Sequence, residues 1–80
     1  MSAVSREGRG DEGTLTRRLE EAIRDEESAA RMYGELARSV PGAADADILW
    51  SIRQDELKHR ELLLHMLRRL SAGGAASTPR

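Results

Sequence analysis

The sequence predicts an all-α protein, an antiparallel two-helix hairpin that oligomerises into four-helix bundles. Apolar residues recur at alternating spacings of three and four in two separate stretches, the pattern of helices that bury one face in a bundle. Pro41-Gly42 lies between the stretches, where Pro ends the first helix and Gly favours a turn. A connection this short makes the two helices antiparallel neighbours.

The composition explains why association is expected. The chain has 80 residues, and 34% of them are charged, whereas Tyr33 and Trp50 are its only aromatic residues. Such a chain cannot build a large core alone, and small proteins usually need a further source of stability. Cysteine is absent, which excludes disulfides and thiolate metal sites. Two sources remain, namely assembly into a homodimer or larger homo-oligomer and a metal held by Glu and His.

Charge and hydropathy argue against other classes of protein. The formal net charge is −1 and the acidic and basic residues are interleaved, so we expect no nucleic-acid surface. No stretch has the apolar length of a membrane span, and the polar N-terminus does not resemble a signal peptide. We therefore expect no membrane partner and a cytoplasmic location.

The organisation along the chain follows from Gly, Pro and the apolar pattern. The glycine-rich start and the end of the chain carry few apolar residues, which is typical of flexible segments. Asp45 or Asp47 is the expected N-cap of the second helix. The predicted segments are an arm at 1–13, a hairpin at 14–72 with helices at about 14–40 and 46–71, and a tail at 73–80.

Each helix carries an apolar seam, defined here as the positions that recur at alternating spacings of three and four. The first seam comprises Leu15, Leu19, Ala22, Glu26, Ala29, Tyr33, Leu36 and Val40, and it is widened on one side by Ile23, Ala30 and Ala37. The second seam comprises Leu49, Ile52, Glu56, His59, Leu63, Met66 and Leu70. A further stripe on the second helix, Trp50, Leu57 and Leu64, lies about 100° from that seam. This stripe indicates a second partner and an assembly larger than a dimer.

Glu26, Glu56 and His59 occupy seam positions where Leu or Ile would be expected. Glu56 and His59 are three residues apart, so they project from one helix face. Folding the chain at about residue 43 brings Glu26 within about a turn of both in height, at a rise of about 1.5 Å per residue. Burying an unpaired carboxylate is costly, so this coincidence predicts a metal site with these three residues as ligands. Carboxylates and imidazole suit iron or manganese.

Two other interpretations of the same residues stay open. Polar seam residues can fix the register and oligomeric state of a coiled coil, in which case the chain is a non-enzymatic helical-hairpin oligomerisation module. The three residues can also bind a metal passively, without turnover.

Side chains near the three residues give weaker signals. Tyr33 follows Glu26 by seven on the same seam, where its hydroxyl is placed to bond a ligand carboxylate, although a core aromatic is the commoner role. Asp55 precedes His59 by four and is a candidate to orient its imidazole. Glu27, Glu61 and His65 fall on outer positions and are expected to be solvated.

The segments Ala22-Ile23-Arg24-Asp25-Glu26-Glu27-Ser28-Ala29-Ala30-Arg31-Met32-Tyr33 and Asp55-Glu56-Leu57-Lys58-His59 resemble the first half of a rubrerythrin-type ferritin-like domain. They are also similar to the encapsulated ferritins, short two-helix chains that dimerise to complete their site. The resemblance implies ferritin-like four-helix bundles and a di-iron site with Glu26, Glu56 and His59 as ligands. It further implies ferroxidase activity with O2, in iron storage or detoxification, and an encapsulating protein shell, or nanocompartment, as a partner.

Overall fold

The computed structural model describes residues 12–72, which form a helical hairpin. Its elements are α1 (Glu12–Ser39) and α2 (Ala43–Ser71), and there is no strand in this part of the chain. Glu27 on α1 contacts Arg60 on α2, whereas Arg38, nearer the end of α1, contacts Trp50, nearer the start of α2. The helices are therefore antiparallel. The all-α hairpin predicted from the sequence is therefore confirmed. Residues 1–11 of the predicted arm and the whole predicted tail, 73–80, lie outside the described residues.

The helix ends differ in detail from the expected ones. α1 begins at Glu12 rather than at 14, and α2 begins at Ala43 rather than at 46. Gly42, with φ −96° and ψ 138°, takes the N-cap position of α2 without a side-chain hydrogen bond. The expected cap at Asp45 or Asp47 is thus wrong, since both residues lie inside the helix. Asp45 instead sits in the first turn, where a negative charge favours the helix dipole.

The helices pack closely along one flank of the first seam. Ala30 and Ala37 are each only 4% exposed, so small side chains let α2 approach α1. The buried residues of the hairpin all come from α1 and are Leu19, Ile23, Ala30, Gly34 and Ala37. The contact within the chain therefore follows the flank of the first seam and leaves the rest of the seam less covered.

Gly34 has a specific role in this packing. A Cβ at this position would lie 3.3 Å from Arg53 Nε, which is a tight contact. Glycine in a helix interior costs about 1 kcal/mol relative to Ala. The space that it leaves on α1 is filled by the side chain of Arg53 from α2.

The stripe of Trp50, Leu57 and Leu64 faces the chain's own α1. The guanidinium of Arg38 on α1 lies 5.4 Å from the centroid of the Trp50 ring. Leu57 and Leu64 are half-buried on the same side of α2. The stripe therefore packs at least partly within the chain, and an assembly larger than a dimer stays a prediction from the sequence.

The two seams border one uncovered side of the hairpin, which we call the open face. Four large apolar residues of the seams remain exposed there: Leu15 (48%), Leu36 (42%), Met66 (37%) and Leu70 (41%). Glu26 on the first seam meets Glu56 and His59 on the second, so both seams open on the same side. Neither described helix is long and apolar enough to cross a membrane.

Candidate metal centre

Glu26, Glu56 and His59 converge at the middle of the open face. Each offers a carboxylate oxygen or an imidazole nitrogen, and these ligand atoms all lie within 4.8 Å of one another. Glu26 comes from α1, whereas Glu56 and His59 come from successive turns of α2. The antiparallel packing thus places residues 30 or more apart in the chain at one height.

The three side chains differ in exposure. The Glu26 and Glu56 side chains are 24% and 21% exposed, because they lie toward the groove between the helices. The His59 side chain is 54% exposed and stands toward the open face. A ligand held by all three would therefore bind at the mouth of the groove, where a second protein surface could cover it.

The distances between the three groups suit a shared cation better than direct hydrogen bonds. His59 Nδ1 lies 3.5 Å from Glu26 Oε1 and 3.5 Å from Glu56 Oε1. Protein N–H···O hydrogen bonds are usually about 2.7–3.2 Å long. By contrast, two ligands bound at about 2.1 Å in tetrahedral directions are about 3.4 Å apart. The Glu–Glu–His group could hold a metal ion, and the two distances from His59 are compatible with that role.

The ionised form of Glu26 is disfavoured by its surroundings. Its Oε1 atom is buried and has no hydrogen-bond partner within residues 12–72. The neighbouring Glu56 side chain raises the pKa of Glu26, and burial raises it further. His59 opposes this shift in pKa less strongly. Two carboxyl groups whose oxygens lie within 4.8 Å of each other resist joint ionisation, and a bound cation would relieve that repulsion.

Tyr33 and Asp55 are not joined to the group. Within the described residues the Tyr33 hydroxyl makes no hydrogen bond to Glu26 or Glu56. Asp55 is exposed and has no ion-pair contact with His59, whose carboxylate neighbours are the two glutamates. The structure thus brings together the three predicted ligands but neither of the two predicted supporting residues.

Sequence reasoning missed a contact beside the site. Arg60 Nε donates to Glu27 Oε2 at 2.6 Å, and Arg60 Nη1 donates to Glu61 Oε2 at 2.8 Å. Glu27 is thus partly buried and paired rather than fully solvated, whereas Glu61 is exposed as expected. Glu27 and Arg60 directly follow Glu26 and His59 in the chain, and that adjacency was the available signal.

Comparisons with protein-family models, curated proteins and solved structures found no match to this chain. The functional argument therefore rests on the hairpin and its site. Together they define a small helical protein with a Glu–Glu–His group able to hold a metal ion. The ferritin-like relationship stays a prediction from the sequence.

Proposed function

We propose that two copies of this hairpin pair across their open faces and complete a di-iron site that oxidises Fe(II) with O2, as a ferroxidase does in iron storage or detoxification. One observation carries the proposal: the buried, unpartnered Glu26 Oε1 lies 3.5 Å from His59 Nδ1 at the middle of an uncovered apolar face. A buried carboxylate oxygen without a donor favours a cation. The exposed apolar residues of the open face favour a second protein surface.

The charge balance of such a dimer supports two metal ions. Two-fold pairing would bring four carboxylates and two imidazoles into one bundle core. Four negative charges match two divalent cations, so metal binding would offset the cost of packing the carboxylates together. Ferritin-like carboxylate proteins use a Glu from each of two helices and a Glu-x-x-His from each of the other two. This chain carries one of each, Glu26 on α1 and Glu56 with His59 on α2.

The residues would divide the work between them. Glu26 and Glu56 would bind ferrous ions as substrate through their ionised carboxylates, and the raised pKa of Glu26 makes its ionisation part of metal binding. His59 contributes neutral imidazole, which adds a ligand without adding charge. Iron supplies the one-electron chemistry, and O2 accepts the electrons. Manganese suits the same oxygen and nitrogen ligands, so metal supply influences which ion is bound.

Anaerobic titration with Fe(II), followed by a pulse of O2, tests the proposal. We expect one Fe(II) per chain to bind and then to be oxidised, which is measured by the rise of ferric absorbance. Glu26→Gln and His59→Ala should abolish both binding and oxidation. Glu35→Gln and His65→Ala are matched controls, because they change the same residue types at exposed positions of the same helices.

The other outcomes point to the two alternative functions. Binding without oxidation would leave passive metal binding, which is favoured by the presence of three ligand groups within 4.8 Å in a single chain. Failure of the parent protein to bind iron or manganese would leave a non-enzymatic oligomerisation module.

A further inference from the structure

Arg38 on α1 and Arg53 on α2 meet at the ring of Trp50. Their guanidinium carbons lie 5.4 Å and 5.6 Å from the ring centroid, which is within the range of a cation–π interaction. Neither guanidinium forms an ion pair or a hydrogen bond with another side chain of residues 12–72. Two cationic groups are thus held at one aromatic side chain with their N–H donors available.

The two guanidiniums are also close to each other. A Cβ at Gly34 would lie 3.3 Å from Arg53 Nε and 3.7 Å from Arg38 Nη1. The sum of these distances, about 7 Å, is the upper limit of the separation between the two nitrogens. Two hydrogen bonds of about 2.8 Å to different oxygens of one phosphate reach across such a gap. Because α1 and α2 each supply one arginine, the arrangement exists only in the folded hairpin.

Gly34 makes room for the two arginine side chains at the expense of helix stability. Any other residue there would place a Cβ in tight contact with Arg53. Glycine is unfavourable in the middle of a helix, yet here it admits the arginine side chain between the helices. Without a bound anion, moreover, the two like charges repel each other.

We propose that Arg38, Arg53 and Trp50 form a binding site for a tetrahedral oxyanion, with phosphate as the ligand. Planar guanidinium groups present paired N–H donors that match phosphate oxygens, and two of them balance a dianion. The Trp50 ring holds the guanidiniums in place by stacking, which lowers the conformational cost of binding. The site lies about 12 Å along α1 from Glu26, counted from Gly34 at about 1.5 Å per residue, so it does not depend on the metal centre.

Trp50 itself reports on this site, since it is the only tryptophan of the chain. The experiment titrates inorganic phosphate into the metal-free, full-length protein at constant ionic strength and follows tryptophan fluorescence, with chloride as the comparison. We expect a saturable change with phosphate and none with chloride. Arg38→Gln and Arg53→Gln should each weaken phosphate binding by about tenfold or more, because each removes charged hydrogen bonds. Line broadening in 31P NMR measures the same affinity independently of Trp50.

Arg31→Gln is the matched control, because Arg31 is an exposed arginine of α1 that does not contact Trp50. Equal responses to phosphate and chloride, or equal weakening in Arg31→Gln, would overturn the proposal in favour of nonspecific screening. The proposal also fails if phosphate does not bind and the arginine variants instead change the oligomeric state. That result would assign the guanidiniums to a carboxylate of a second copy.

Gly34→Ala separates anion binding from stability. The Cβ must displace Arg53, whose flexible side chain can move, while Ala is a better helix former than Gly. We therefore expect this variant to melt at a higher temperature and to bind phosphate more weakly than the parent. A variant that melts higher and binds phosphate unchanged would contradict the proposed geometry. Loss of iron binding in any of these proteins bears only on the metal centre.

Discussion

Arg60 Nε lies 2.6 Å from Glu27 Oε2, and these two residues directly follow His59 and Glu26 in the chain. Both side chains are about one-third exposed, and ion pairs at such exposure usually contribute little to stability. Their position gives the contact another role. It joins α1 to α2 at the height of the metal centre. We therefore predict that Arg60 and Glu27 help to set how far one helix is shifted along the other, and thereby position the ligands.

The first prediction tests this positioning role by asking whether removing the charge of Arg60 strengthens or weakens metal binding. On charge alone, Arg60→Met should strengthen binding of a cation, because it removes a positive charge beside the site. If Arg60 positions the ligands, the variant should instead bind Mn(II) or Fe(II) several-fold more weakly while its helicity is retained. Glu27→Gln should weaken binding as well. The double variant should lose little more than either single variant, since both break one contact.

Anaerobic metal titration and far-UV circular dichroism measure these effects. Arg68→Met, at an exposed position of the same helix, is the control and should bind metal like the parent. Tighter binding by Arg60→Met would rule out the positioning role and leave only a charge effect.

The convergence of Glu26, Glu56 and His59 could be predicted because it depends only on helix periodicity and on the short turn between the helices. Spacings of three and four fix a residue's angle on the helix, and the short turn fixes its height. Periodicity could not predict which surface each apolar stripe packs against. Periodicity gives the angle between the stripe at Trp50 and the seam at Glu56, but it does not say which of them meets α1.

The polar contacts were less predictable for a different reason. In a chain that is 34% charged, many opposite charges can meet, so the pairing of Glu27 with Arg60 has no distinctive pattern. The start of α2 shows a similar limit. Asp45 is a good capping residue, but the backbone at Gly42 is already extended, so the helix begins there.

The second prediction concerns association through the open face. We expect the parent to be a dimer at low micromolar concentration. Met66→Glu places a charge on the open face, so this variant should be a monomer at the same concentration. His65→Glu adds the same charge at the adjacent, exposed position and should leave the dimer intact. Light scattering distinguishes the two states. A folded, helical monomer of the parent, with and without metal, would end the shared-site model.

The third prediction places Leu57 inside the hairpin rather than at a second interface. Leu57 is half-buried on the side of α2 that meets α1. Leu57→Glu should therefore lower the free energy of unfolding by about 1–2 kcal/mol. Thermal denaturation followed by circular dichroism measures this loss. If Leu57→Glu instead changed only the oligomeric state, the stripe would be an interface between copies.

The fourth prediction separates stability from activity at the metal centre. Without metal, Glu26 and Glu56 crowd each other, so replacing Glu26, Glu56 and His59 with Leu removes repulsion and extends both apolar seams. Exchanging buried ionic groups for apolar ones often stabilises a protein by about 1–4 kcal/mol. The low end applies here, because the His59 side chain is 54% exposed.

The triple Leu variant should melt above the metal-free parent, stay assembled and fail to oxidise iron. Metal should raise the melting temperature of the parent alone, since only its folded state binds the ion. Scanning calorimetry and light scattering test both points. Mixed oligomers of the variant, beside a parent indifferent to metal, would support the interpretation that these residues only fix the register.

The fifth prediction follows from the raised pKa of Glu26, which Glu56 and burial move above the ordinary value of 4.5. Between that value and the raised pKa, the folded chain keeps a proton that the unfolded chain has released. The contribution of Glu26 to the stability of the metal-free protein should therefore fall as the pH rises through this window. Metal must displace the same proton, so metal affinity should rise with pH over the same window.

Glu26→Gln removes the titrating group, so above about pH 4.5 its melting temperature should depend less on pH than that of the parent. Glu35→Gln, at an exposed position of α1, should keep the slope of the parent. The informative quantity is the difference between the slope of Glu26→Gln and that of the Glu35→Gln control, because the other ionisable groups are the same in both variants. If both variants had the same slope, Glu26 would not hold the extra proton. In that case the two carboxylates would not repel each other at the centre of the open face.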